Sequence, residues 1–196
     1  MKKKSILFAV FVIFFLATNA VFAQSGKSLV VYFSHTGEQY SVGNITEGNT
    51  AIIAKMIAQK TSSDIFEIVP EKEYPKVYKT CTDVAKSEQK KNARPAYKNE
   101  IDVSEYETVF VGYPIWWGDL PMVVYTFLES HDLNGKTIVP FCTHEGSGIS
   151  GTDGKIKRIF KSATVKNALA IRGATAQNKR AEAEKNVDAW LKKIAR

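Results

Sequence analysis

Short uncharged runs alternate with amphipathic segments along most of the chain. Runs rich in β-branched and aromatic residues indicate buried strands at 29–33, 64–69, 108–113, 137–142 and, more weakly, 168–171. Helical periodicity is seen at 51–60, after Pro121, and in a final segment striped by Ala183, Val187, Trp190, Leu191 and Ile194. Two more helices are expected at about 80–91 and at 153–160. This alternation predicts an α/β fold, a doubly wound parallel sheet with helices on both faces.

The first 23 residues have the pattern of a secretory signal peptide. Three lysines precede an apolar run at 6–17, and small residues flank a cleavage position at Val21-Phe22-Ala23. The alternative is an uncleaved anchor, but the apolar run has 12 residues where a membrane span needs about 18 or more. We therefore predict a signal peptide at 1–23 and a mature domain at 24–196. The domain is expected to be exported, periplasmic or secreted, without a stable membrane span.

Charge and cysteine content exclude several classes of function. Without the three lysines of the signal peptide, the formal charge falls from +7 to +4, and no basic run is dense enough to indicate nucleic-acid binding. Two cysteines are too few for a disulfide scaffold or a four-cysteine zinc site. The three histidines, His35, His131 and His144, lack zinc-ligand spacing, so no metal is expected.

Three loops carry the candidate chemistry, because sheets of this kind bind ligands beyond the carboxyl ends of their strands. The loop after the first strand and the start of the next helix contain Ser34, His35, Thr36, Gly37, Asn49 and Thr50. Hydroxyls, glycines and a helix N-terminus favour a phosphate group. A simple helix cap at Asn49 or Thr50 would explain part of the same pattern.

The loops after the third and fourth strands offer aromatic and small residues. The first of these loops contains Pro114, Ile115, Trp116, Trp117 and Gly118. Two adjacent tryptophans suit a flat aromatic ligand or an interface, although one of them packing into the core is the alternative. The second loop contains Thr143, His144, Gly146, Ser147 and Gly148. It offers backbone N–H groups to a ligand edge, or it is an ordinary flexible loop.

Taken together, the three loops resemble the flavodoxin family over residues 29–196. In flavodoxins a Ser-x-Thr-Gly-Asn-Thr segment binds the phosphate of FMN. Residues 34–37 match its start and Asn49-Thr50 its end, with an insert at 38–48 that we assign to the rim. Trp117-Gly118-Asp119 matches the loop that lies against the isoalloxazine, and 143–148 matches the loop beside its pyrimidine end. The resemblance implies FMN as cofactor and a five-stranded sheet in the order 2-1-3-4-5.

The function implied by this resemblance is electron transfer to a redox partner protein or a small electron acceptor. The signal-peptide pattern adds the expectation that this occurs outside the cytoplasm. Residues 143–152 lack the aromatic side chain that covers the outer flavin face in many flavodoxins. This departure keeps an FMN-dependent NAD(P)H or quinone reductase open as an alternative. A non-redox binding module or a cysteine hydrolase using Cys142 is a third possibility, but a nucleophile elbow runs directly into a helix and residues 146–148 intervene here.

Two further expectations concern the rest of the chain. Cys81 and Cys142 are the only possible disulfide pair, and we expect them to be unpaired more often than not, because one belongs to a crossover helix and the other to a strand end. The long connection at 70–103 contains tyrosines and an arginine that either contact the cofactor or form a packed structural flank.

Overall fold

The computed structural model describes residues 26–195, so the predicted signal peptide lies outside the described residues. The strands are β1 (Lys27–Tyr32), β2 (Gly37–Gln39), β3 (Gly43–Ile45), β4 (Asp64–Glu67), β5 (Tyr106–Pro114), β6 (Thr137–His144), β7 (Thr164–Val165) and β8 (Leu169–Arg172). The helices are α1 (Asn49–Thr61), α2 (Tyr78–Lys91), α3 (Met122–Ser130), α4 (Thr152–Ile159), α5 (Gly173–Asn178) and α6 (Arg180–Ile194).

The main sheet is parallel and runs in the order β4-β1-β5-β6, with β7 and β8 sharing the edge beside β6. β7 pairs with the start of β6, at Thr137 and Ile138, whereas β8 pairs with residues 141–144 at its end. The edge position is therefore filled by two short strands in succession. The predicted α/β fold and strand order are confirmed, with β8 as the predicted weak fifth strand.

Both faces of the sheet are covered, as uncharged strands require. Along β1, Val30 faces α1, α5 and α6, while Leu29 and Val31 face the layer of α2, α3 and α4. β5 alternates in the same way, with Phe110 on the first face and Val109 on the second. All five side chains are 0% exposed, so the centre of the sheet is a core on both sides.

The insert at 38–48 folds into structure that the hydrophobic pattern did not predict. β2 and β3 form an antiparallel hairpin that pairs Gly37 with Ile45. The hairpin packs against the start of α2, because Glu38 N–H donates to Lys76 O at 2.8 Å and the Glu38 carboxylate accepts from Tyr78 N–H at 2.8 Å. The insert therefore forms a separate small sheet that follows β1 in the chain and lies against the start of α2.

Within residues 26–195, no helix is both long and apolar enough to cross a bilayer.

Candidate functional site

A cleft of about 290 Å³ opens beyond the carboxyl ends of β1, β5 and β6. Its walls come from the hairpin, α2 and the loops that follow the three strands. The lining residues are His35, Glu38, Gln39, Tyr40, Asn49, Tyr78, Cys81, Thr82, Ala85, Pro114, Ile115, Trp116, Trp117, Thr143, His144 and Glu145. The adjacent parallel strands β1, β5 and β6 have their carboxyl ends at the same edge of the sheet. Sheets of this kind bind ligands at that edge.

Eight of the sixteen residues predicted to bind a cofactor line this cleft. They are His35, Asn49, Pro114, Ile115, Trp116, Trp117, Thr143 and His144. The other eight do not belong to its lining: Ser34, Thr36, Gly37, Thr50, Gly118, Gly146, Ser147 and Gly148. The hairpin residues, Glu145 and the α2 wall also line the cleft and were not predicted from the sequence. The clustered tyrosines of the 70–103 connection were the available signal for that wall.

The tryptophan loop is a tight two-residue turn. Trp116 N–H donates to Asp119 O at 2.9 Å and Asp119 N–H donates to Trp116 O at 3.0 Å. Trp117 and Gly118 between them have φ values of 51° and 73°, as a type I′ turn requires. A side chain in this left-handed region costs about 1–2 kcal/mol. The fold therefore holds Trp117 in a backbone conformation that glycine would adopt freely.

The two tryptophans have different surroundings. Trp116 meets Phe33, Tyr74 and His35 edge-on, with ring centroids 5.3, 4.9 and 5.8 Å away. Trp117 is 52% exposed, and its ring N–H donates to Thr82 O at 2.9 Å. Trp116 therefore packs on the core beneath the loop. The Trp117 ring has Lys86 Nζ over one face, 4.6 Å from its centroid, and remains half exposed at the cleft.

Asp119 fixes the far end of this turn. Its carboxylate pairs with Lys155 Nζ at 2.5 Å and accepts from Tyr125 Oη–H at 2.9 Å and from Leu120 N–H at 2.8 Å. The Asp119 side chain is only 13% exposed, so the ion pair is shielded from solvent. These contacts hold the loop to α3 and α4 and leave its tryptophan end facing the cleft.

Two of the hydroxyls assigned to phosphate have protein partners at the start of α1. Ala51 N–H donates to Ser34 Oγ at 3.0 Å, so Ser34 caps the start of α1. Thr50 and Thr143 share a hydrogen bond of 2.8 Å between their hydroxyls, and they are 1% and 2% exposed. Thr50 therefore joins α1 to the end of β6 from inside the core, a structural role in addition to any contact with a ligand.

Two buried acceptors beside the cleft have no donor among the described residues, namely Asn49 Oδ1 and Glu145 Oε1. A Cβ at Gly173 would lie 2.1 Å from Asn49 Nδ2 and 2.4 Å from Glu145 Oε1, so only glycine at this position lets both side chains pack there. Buried acceptors without a donor cost about 1–3 kcal/mol each. A ligand that brings N–H or O–H groups to this point removes that cost.

The surroundings of the histidines and cysteines at or near the site favour the neutral form of each side chain. Burial lowers the pKa of His35, and the charge of Lys76 lowers it further. Burial raises the pKa of the Cys81 thiol to about 11 and that of Cys142 to about 12. Both cysteines are buried and free. A nucleophilic cysteine needs a lowered pKa, so neither thiol fits the hydrolase alternative.

Comparison with known proteins identifies the family. The family model described as flavodoxin matches residues 27–194, which is nearly all of the described chain. The chain belongs to the flavodoxin family. Membership confirms the predicted resemblance, and it indicates FMN as the cofactor. No functionally curated sequence shows significant similarity to the chain.

Solved structures agree with the flavodoxin assignment. A protein assigned as a flavoprotein from Bacteroides eggerthii is 31% identical, with a TM-score of 0.67, covering 87% of this chain and 99% of its own. A Bacteroides uniformis protein assigned in the same way is 30% identical, with a TM-score of 0.66 and coverage of 86% and 99%. The flavoprotein of Lactobacillus acidophilus in complex with FMN shares the fold at 21% identity, a TM-score of 0.60 and coverage of 79% and 98%.

The residues at the cleft fit FMN. The exposed Trp117 ring suits a flat aromatic system, and the two acceptors without donors suit the N–H and O–H groups of a flavin and its ribityl chain. The first turn of α1, beside Asn49, supplies N–H groups and a positive dipole end for a phosphate. Each chemical part of FMN thus has a matching set of residues.

Proposed function

We propose that this protein is an FMN-dependent electron carrier that acts outside the cytoplasm. The exposed ring of Trp117, at the mouth of a cleft in a flavodoxin-family sheet, is the observation that supports the proposal most directly. A carrier must bring its flavin close to the protein surface, where a partner can reach it. An aromatic residue that is held by its ring N–H but is 52% exposed is suited to bind such a flavin.

FMN supplies one- and two-electron redox chemistry when bound, and the chain binds and orients it. Trp117 would hold the ring system, and the neighbouring Gly118 would offer its backbone carbonyl to a flavin N–H. N–H groups of the loop at 143–148 would donate to the pyrimidine edge. Asn49 Oδ1 and Glu145 Oε1 would accept from donors of the ligand.

A reductase with its own small acceptor is the second candidate function. The loop after β6 carries no aromatic residue over 143–152, and the side chains there that reach the cleft lining are Thr143, His144 and Glu145. An uncovered flavin face leaves room for NAD(P)H or a quinone. This alternative uses the same cofactor and cleft, and it differs from a carrier only in the reaction.

Stepwise reduction of the FMN-loaded protein without oxygen distinguishes these two functions. A carrier should accumulate a one-electron-reduced flavin, visible at long wavelength, and should oxidise NAD(P)H slowly in the presence of quinones. Rapid NAD(P)H-dependent quinone reduction with no one-electron stage would refute the carrier proposal and support the reductase. The Trp117→Ala variant is the matched control, because a reaction at this cleft must weaken with it.

Export rests on the signal-peptide pattern at 1–23. Expression of the whole chain in a bacterium should yield a periplasmic or secreted protein with an N-terminus at Gln24. N-terminal sequencing of the protein from each cell fraction checks this expectation. An intact Met1 N-terminus on all of the protein would contradict it.

A further inference from the structure

Lys76 places an ammonium group at the segment assigned to the phosphate. Lys76 Nζ donates to Thr36 Oγ1 at 2.7 Å. Thr36 is one of the hydroxyl residues predicted to bind phosphate, and residues 34–37 and 49–50 themselves contain no lysine or arginine. The sequence of this site therefore offers hydroxyls, backbone amides and the imidazole of His35, but no permanently charged cation. The structure adds a cation from a residue 40 positions away.

Backbone contacts fix this lysine against the same segment. Glu38 N–H donates to Lys76 O at 2.8 Å. Gly37 has a φ of 98°, and a Cβ there would lie 2.7 Å from Lys76 O, so glycine lets the two segments touch. Three consecutive residues, 36–38, therefore contact Lys76. The position of the Lys76 ammonium group therefore depends on its flexible side chain and also on the Lys76 backbone, which is held against residues 37 and 38.

The charge of Lys76 is not neutralised by a neighbouring carboxylate. Among residues 26–195, none of the ion pairs within 4.0 Å involves Lys76, whereas the nearby Lys79 pairs with Asp83 at 2.7 Å. An ammonium group has three N–H donors, and the bond to Thr36 uses one of them. The charge also acts on the cleft, because it contributes to the lowered pKa of His35.

We propose that Lys76 provides a positive charge for the FMN phosphate and so makes the cleft select FMN over riboflavin. The inference rests on the proposed function, since it needs a flavin in the cleft. A phosphate dianion accepts the two remaining N–H groups of Lys76 and is attracted by its charge. Riboflavin has no phosphate and gains nothing from the lysine.

Titration of FMN and riboflavin into three variants tests the proposal. Lys76→Ala should bind FMN about fivefold more weakly, since an exposed charge pair is worth up to about 1 kcal/mol, and should bind riboflavin like the parent. Lys76→Arg keeps the charge and should keep FMN affinity. Lys79→Ala removes an equal charge that Asp83 already balances, and it should change neither affinity. High salt should narrow the difference between parent and Lys76→Ala.

Several outcomes would overturn the inference. Equal loss of FMN and riboflavin in Lys76→Ala would show that the lysine only supports the hairpin. Unchanged FMN affinity in Lys76→Ala would show that its charge does not act on the phosphate. The same selective loss in Lys79→Ala would show a general effect of positive charge and would refute a specific role for Lys76. A parent protein that binds neither flavin would refute the proposed function as well, so the two failures are distinguishable.

Discussion

The two adjacent tryptophans should separate binding from stability. Trp116→Ala removes a ring that packs edge-on against Phe33 and Tyr74, so it should destabilise the fold. Trp117→Ala removes a ring that is 52% exposed at the cleft, so it should weaken FMN binding while changing stability much less. The same substitution is therefore expected to lower mainly the stability at Trp116 and mainly the FMN affinity at Trp117.

The expected loss of FMN affinity in Trp117→Ala follows from the exposed surface of the Trp117 side chain. A large aromatic side chain offers about 250 Å² of surface, of which 52% exposure leaves about 130 Å². A ligand that covers one face removes about half of that area from water, which at about 25 cal/mol per Å² contributes roughly 1.5 kcal/mol. Stacking adds about 1 kcal/mol. Together they predict a loss of FMN affinity of about 50- to 100-fold in Trp117→Ala.

Stability and binding are measured on the same preparations. Urea denaturation should show a loss of about 2–4 kcal/mol for Trp116→Ala and about 1 kcal/mol or less for Trp117→Ala. FMN titration by quenching of flavin fluorescence gives the affinities. Equal affinities in the two folded variants, or a larger loss in Trp116→Ala, would refute the assignment of Trp117 to the flavin.

Three further outcomes are expected. Thr50→Ala leaves the buried Thr143 hydroxyl without its partner and should lower the unfolding free energy by about 1–3 kcal/mol. Urea denaturation measures this loss, and an unchanged midpoint would show that the Thr50–Thr143 hydrogen bond does not stabilise the fold. Cys81 and Cys142 should both be detected as free thiols in denaturant without reductant, whereas zero free thiols would show a disulfide. In the folded protein both should react slowly with iodoacetamide, because burial raises the pKa of each thiol. Because the pKa of His35 is lowered in the folded state, the unfolded chain binds the extra proton as pH falls below about 6.5. The urea midpoint should therefore fall with pH in that range, and His35→Gln should flatten the curve; a parallel curve for the variant would contradict the assignment.

The fold was predictable because its signals are local and repeated. Uncharged runs such as 108–113 can be buried only between two helical layers, and the structure places Val109 and Phe110 in opposite cores. The hairpin at 37–45 was not predictable in the same way. Its two strands have three residues each and include glycines at both ends of the pairing, so they lack an apolar face. Hydrogen bonds from the hairpin to Lys76 and Tyr78 fix its position. Such contacts produce no periodic pattern of hydrophobic residues in the sequence.

The candidate site was predictable in part for a related reason. The residues named from the loops after β1, β5 and β6 lie together because parallel strands end at one edge. The α2 wall, with Cys81 and Thr82, comes from a crossover helix whose rotation depends on core packing. Likewise, no local pattern distinguishes a hydroxyl that is free to bind phosphate from one, like Thr50, that is bonded inside the core.

Binding of FMN in this cleft can be checked by the visible spectrum of the purified protein. The protein is mixed with excess FMN, passed through a desalting column and scanned beside an untreated sample. Flavin should be retained at about one per chain, with bands shifted from those of free FMN and with greatly reduced retention in Trp117→Ala. A folded parent protein that leaves the column colourless would show that the cleft does not bind FMN.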